Sequence, residues 1–222
     1  SWTLTANIEN ITLIGINHVN ATGNALNNVI IGNAGINTLT GGLGDDTYYI
    51  QNVNDYVIEQ HGQGNDTIFS TVSYSLFGRA IETLVLHGTE ALSATGNSLA
   101  NSLTGNAGDN VLTGGGGNDT YVVQNAGDKT IEAASEGIDT VMSTINWTLG
   151  DNTENLTLIG INHVNATGNA LNNVITGNAG INTLAGGLGD DTYYVQNATD
   201  NVVEQHLQGT DIIYSTVSYS LA

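Results

Sequence analysis

Glycine recurs at every ninth position in three places along this 222-residue chain, and that spacing restricts the fold more than any other feature. Gly23, Gly32 and Gly41 open the nonapeptides GNALNNVII, GNAGINTLT and GGLGDDTYY. Gly96, Gly105 and Gly114 open a second set, and Gly168, Gly177 and Gly186 a third. A nine-residue period fits neither the stripe of an amphipathic helix nor the alternation of a hairpin. It fits six residues of tight turn followed by three of strand, with one side chain per nonapeptide (Ile30, Leu39, Tyr48) turned inward. Glycine supplies positive φ without steric cost, and Asn tolerates the left-handed region better than most residues. Two nonapeptides then close one coil, and strands stack in parallel on two faces. The expected fold is all-β: a β-solenoid of parallel strands. One coil per 18 residues or so would make a rod about 60 Å long at roughly 4.8 Å per coil.

A longer period contains the short one. Thr12–Leu39 recurs at Thr157–Leu184 with one change, Ile31 to Thr176, and GNSLANSLTGNAGDN from Gly96 is a more divergent copy between them. The offset of about 73 residues divides the chain into units of about 1–72, 73–145 and 146–222. No Pro- or Ser-rich linker separates them, so a single continuous solenoid is expected.

Composition excludes several functions. The chain has 21 acids against two cations, Arg79 and Lys129, for a net charge of −19. Two cations cannot neutralise a run of phosphates, so neither nucleic acid nor an anionic membrane surface is an expected partner. No apolar run approaches the roughly 20 residues that span a bilayer. Without cysteine there is no disulfide, thiolate metal site or thiol nucleophile. Ser1 is followed by no basic-then-apolar leader, so no signal peptide is expected in this stretch. No HExxH, GxSxG or phosphate-loop pattern is present, and no enzymatic activity is expected. The five histidines are read as loop or surface residues. Tyr48 and Tyr49, like Tyr193 and Tyr194, are read as one core and one outward ring each, in preference to a glycan platform.

The acids are few and locally placed. A GGxGxD turn offers main-chain carbonyls and one carboxylate, the hard oxygen set that calcium takes six to eight at a time at about 2.3–2.6 Å. Three such turns are Gly41, Gly42 and Gly44 with Asp46; Gly114, Gly115 and Gly117 with Asp119; and Gly186, Gly187 and Gly189 with Asp191. Turns 18 residues apart share an edge, which stacks Asn28 near Asp46, Asn101 near Asp119 and Asn173 near Asp191. An amide gives oxygen without charge, so these Asn turns are either weak sites or members of a hydrogen-bond ladder. A further turn-like stretch, HGQGNDTIF from His61, carries Gly64 with Asp66, repeated as Gly137 with Asp139 and Gly209 with Asp211. It starts 20 residues after Gly41, so a two-residue bulge should precede it and bring Asp46 and Asp66 together as the strongest site. Asp55 and Glu59 share one strand face, with Asp128 and Glu132 and Asp200 and Glu204 as counterparts, and are read as solvated edge charges.

The GGLGDDTYY and GGGGNDTYV nonapeptides resemble the RTX, or haemolysin-type, calcium-binding repeat, and the stretches between them resemble the spacers of large secreted bacterial proteins. That resemblance implies a right-handed parallel β-roll, calcium held between successive turns, type I secretion and an extracellular or cell-surface setting. It points to a structural segment of an adhesin, fibre or surface layer, folding on calcium after export. The alternative is the secretion and folding tail of an exoenzyme such as a protease or lipase. Unpaired strand edges at solenoid ends also predict a head-to-tail tendency to self-associate.

Overall fold

The computed structural model describes residues 1–220, and among them every regular element is a β-strand. Twelve strands form one parallel sheet that runs through all three units, from Asn10–Thr12 to Ile212–Ser215. The opposite face is divided into three four-stranded parallel sheets. The chain is therefore a two-faced parallel β-solenoid of about 12 coils, as the nonapeptide period predicts.

Register follows the inward residue of each nonapeptide. Ile30 pairs with Tyr48, Tyr48 with Ile68, Ile68 with Leu84 and Leu84 with Leu103, and all five are fully buried. Across the roll, Ala21, Leu39 and Val57 form the facing row. Because the side-chain period of a strand is two, the intervening residues Tyr49 and Tyr194 lie outward, 37% and 43% exposed. Tyr49 stacks on Phe69 and Tyr194 on Tyr214, so one face of each ring is covered by its neighbour.

Coil length is less uniform than the sequence predicts. A coil of 18 residues joins Asn28 to Asp46, one of 20 joins Asp46 to Asp66, and one of only 16 joins Asp66 to Glu82. The corresponding short coil of the second unit takes 15, from Asp139 to Glu154. The two extra residues of the long coil fall within the turn at Gln60–Gln63, where Gly62 has φ +81° and the Gln60 N–H donates to Gln63 Oε1 at 2.7 Å. They occupy the start of the His61 stretch instead of preceding it.

The short coil interrupts the second face. Tyr74–Ser75 does not pair with Tyr56–Ile58; instead the Tyr74 hydroxyl accepts from Val57 N at 3.3 Å and donates to Asp55 O at 3.1 Å. Arg79 closes this junction over the rings of Tyr56 and Tyr74, at 4.4 and 5.2 Å from their centroids.

Candidate metal centres

The two long edges of the roll are built from the same kind of turn. On one edge, Asp46 Oδ1 accepts from Asn28 N at 2.6 Å, and Asp66 Oδ1 accepts from Asp46 N at 2.8 Å. Each aspartate thus fixes the turn of the coil before it. The second and third units repeat the arrangement with Asn101, Asp119 and Asp139, and with Asn173, Asp191 and Asp211.

This capping uses one carboxylate oxygen of each residue. The others, Asp46 Oδ2 and Asp66 Oδ2, are buried without a hydrogen-bond partner, as are Asp119 Oδ2 and Asp191 Oδ2. A third carboxylate meets them from the opposite face. Strand Tyr56–Ile58 spans the roll from Asp55 at one edge to Glu59 at the other, and Glu59 projects toward Asp46 and Asp66. Ligand oxygens of Asp46, Glu59 and Asp66 lie within 4.8 Å of one another. The same holds for Asp119, Glu132 and Asp139, and for Asp191, Glu204 and Asp211.

Glu59 is held in place. Gly41 N–H donates to its Oε1 at 3.0 Å, and the Tyr48 hydroxyl donates to the same oxygen, leaving Oε2 buried and unpartnered. Tyr121 with Glu132 and Tyr193 with Glu204 repeat the pair. Glycine at position 41 is required by space: a Cβ there would collide with Asp46 Oδ2, the Tyr48 hydroxyl and Glu59 Oε1, and Gly114 and Gly186 are confined in the same way. Gly42, Gly44, Gly115, Gly117, Gly187 and Gly189 all have positive φ, as the turn chemistry predicts. Gly64, Gly137 and Gly209 each lie against the carbonyl of a glycine in the preceding coil (Gly44, Gly117 and Gly189), with no room for a side chain.

Burial and mutual repulsion make the buried triad carboxylates weaker acids. Desolvation, with like charges adding, raises Asp46 to about 6, Asp66 to about 7 and Glu132 to about 8. Asp119 and Asp191 rise to about 6, and Glu59 and Asp139 rise as well, mainly by desolvation. Clustered carboxylates with free oxygens, all buried in the first two units and half-buried at Glu204 and Asp211 in the third, fit a hard divalent ion. The donor set is oxygen alone, which suits calcium and not zinc.

One sequence expectation changes here. Asp55 and Glu59 are not solvated edge charges: they are 2% and 7% exposed, because both point into the roll from opposite ends of one strand. Asn28, Asn101 and Asn173 join a hydrogen-bond ladder, one of the two roles their sequence allows: their amide oxygens accept from Asn24, Asn97 and Asn169 N within their own turns. Sequence reasoning also passed over Glu82 and Glu154, whose Oε2 atoms accept from Asp66 N and Asp139 N at 2.8 Å. Their fixed place just before the first long-sheet strand of the second and third units was the available signal. The histidines are exposed, and Nδ1 of His18 and of His163 accepts from a turn N–H, of Ile36 and Ile181 respectively.

The profile of the RTX calcium-binding nonapeptide repeat, in four copies, matches residues 22–57, 95–123 and 167–201, the nonapeptide stretches of all three units. The chain belongs to the RTX repeat family. It is a calcium-binding repeat region of the bacterial type, built on a structural repeat fold. One curated relative is the endo-1,3-1,4-beta-glycanase ExsH of Rhizobium meliloti, 37% identical over 67 residues. That match covers 30% of this chain and 14% of the relative, so the chain spans a small part of that protein. No solved structure matches the chain. No helix is long and apolar enough to cross a membrane among the described residues.

Proposed function

We propose that this RTX segment is a calcium-folded structural rod of a secreted or surface-attached bacterial protein, of adhesin, fibre or surface-layer type. The observation that carries the reading is the set of three carboxylate triads, one per unit, with buried unpartnered oxygens. Asp46, Glu59 and Asp66 and their counterparts would hold calcium, with turn carbonyls completing the shell. Calcium supplies the positive charge that makes burying three carboxylates favourable. The chain's own residues do the rest: Tyr48 and Gly41 orient Glu59, and Asn28 orients Asp46.

A ligand that binds only the folded state stabilises it by RT ln(1+[L]/Kd), about 1.4 kcal/mol per site at ten times Kd. Extracellular calcium modules bind at about 10⁻⁴–10⁻³ M, well matched to a chain that stays unfolded in a calcium-poor cytoplasm and folds outside. Far-UV circular dichroism of EDTA-stripped protein, titrated with calcium and with magnesium as control, tests this. A calcium-specific gain of β signal is expected; identical spectra with and without calcium would rule out the folding switch.

A second reading, the folding tail of an exoenzyme, is favoured by the glycanase relative, whose matched part is a small fraction of its length. The outer edges of the long sheet, at Asn10–Thr12 and Ile212–Ser215, are unpaired among the described residues. Each suits a further coil of the same kind, from the same chain or a second copy.

A further inference from the structure

The three units are joined unevenly. On the short-sheet face the hydrogen-bond ladder stops at each boundary, between Tyr56–Ile58 and Tyr74–Ser75 and between Lys129–Ile131 and Trp147–Thr148. On the carboxylate edge it does not stop. Asp66 N–H donates to Glu82 Oε2 at 2.8 Å, in the same way that Asp46 N–H donates to Asp66. Glu82 belongs to the first coil of the second unit, and that coil is gripped from its other side. Asn101 Nδ2 donates to Ile81 O at 2.9 Å and to Glu82 O at 3.4 Å, while Asn101 N–H donates to Asp119 Oδ1 at 2.6 Å. From Asp119 the path repeats through Asp139 to Glu154 Oε2, then through Asn173, whose Nδ2 donates to Glu154 O at 3.1 Å, to Asp191. One continuous chain of hydrogen bonds links all three carboxylate triads.

We propose that Glu82 and Glu154 are positioning residues that couple the three cation centres, so that an ion at one raises the affinity of its neighbours. This rests on the reading of the triads as cation sites. The element with two arrangements is the short first coil of the second and third units, docked on the preceding unit or not. Docking places the glutamate against Asp66 N–H or Asp139 N–H and so fixes the backbone of a carboxylate that the ion needs. An ion that holds Asp66 or Asp139 in place favours docking in return, because coupling between sites is reciprocal. In a solenoid each repeat contacts only its neighbours, so the effect passes from unit to unit.

Calcium calorimetry on the whole chain separates the outcomes. The wild type is expected to bind three ions with a slope clearly above one. Glu82→Ala with Glu154→Ala should still bind three, with the slope falling to one. The Gln versions should restore steepness, because an amide oxygen also accepts from the N–H. Removing the middle centre by Asp119→Asn with Asp139→Asn tests the same coupling without touching either glutamate. The two outer centres should then bind about tenfold more weakly. Three ions bound with unit slope by the wild type, or outer affinities unchanged without the middle centre, would overturn the coupling. No bound ion at all would instead overturn the cation reading beneath it.

Discussion

Asp46 and Asp55 lie nine residues apart on opposite edges of the same roll, and their first oxygens do the same work. Each accepts from the backbone N–H of an Asn 18 residues earlier, at 2.6 Å for Asn28 and 2.8 Å for Asn37. Each is almost wholly buried. The second oxygens separate them. Asp55 Oδ2 accepts from Asn52 N at 3.1 Å and Gln51 N at 3.4 Å, closing its own turn. Asp46 Oδ2 has no partner and faces Glu59 and Asp66. A single turn design thus yields a staple on one edge and an ion site on the other, and the difference lies in what the following residues leave unfilled.

The largest effect should come from removing the open oxygens. Asp46→Asn, Asp119→Asn and Asp191→Asn together should abolish calcium-driven folding, a loss of about 4 kcal/mol at ten times Kd. They should also stabilise the calcium-free chain, because repulsion is relieved. Thermal melts with and without calcium check both signs. The opposite-edge variant Asp55→Ala should cost about 3 kcal/mol at saturating calcium, by orphaning buried N–H groups, while binding as many ions as the wild type. A loss of bound ions there would erase the distinction between the edges.

Glycine gives a smaller contrast. Gly41→Ala meets Asp46, Tyr48 and Glu59 at once, whereas a Cβ at the equivalent Gly32 lies 3.0 Å from Asn37 Oδ1 and 3.2 Å from Tyr49 O. Gly41→Ala should therefore destabilise by about 2 kcal/mol more than Gly32→Ala in urea unfolding.

Acidity sharpens the comparison further. Asp46, Asp66, Asp119, Asp191 and Glu132 bind protons more tightly folded than unfolded, with folded values of about 6 to 8 against ordinary values of 3.8 and 4.5. Calcium-free stability from these groups is full below pH 3.8 and is lost as pH rises through 6 to 8. With calcium the slope reverses, because the ion needs the carboxylates ionised. Melting temperatures at pH 5 and pH 8 should cross between the two forms. Least of all, Tyr48→Phe should weaken calcium binding at the first centre by a few-fold, since Glu59 keeps its bond to Gly41.

Much of this was legible in the chain. The nonapeptide period specifies the inward row from Ile30 to Tyr48, and the 20-residue step specifies that Asp66 follows Asp46 on one edge. Glu59 was not legible as a partner, because same-face spacing on a strand says that two side chains point the same way without saying that the strand spans the whole roll. Asp55 and Glu59 both point inward, yet they arrive at opposite edges. The 16- and 15-residue coils escaped as well: they lack the glycine pattern, and Tyr74–Ser75 and Trp147–Thr148 each begin a new short sheet there.

The triads recur once every four coils along a single edge, which sets them about 19 Å apart at roughly 4.8 Å per strand. That separation exceeds two Debye lengths at physiological ionic strength, where the length is about 8 Å. Each cluster therefore charges or fills in an electrostatic environment that its neighbours barely reach. A rod of this kind can be lengthened without the self-repulsion that close-set carboxylates would accumulate, and what one centre learns of the next must travel through the backbone.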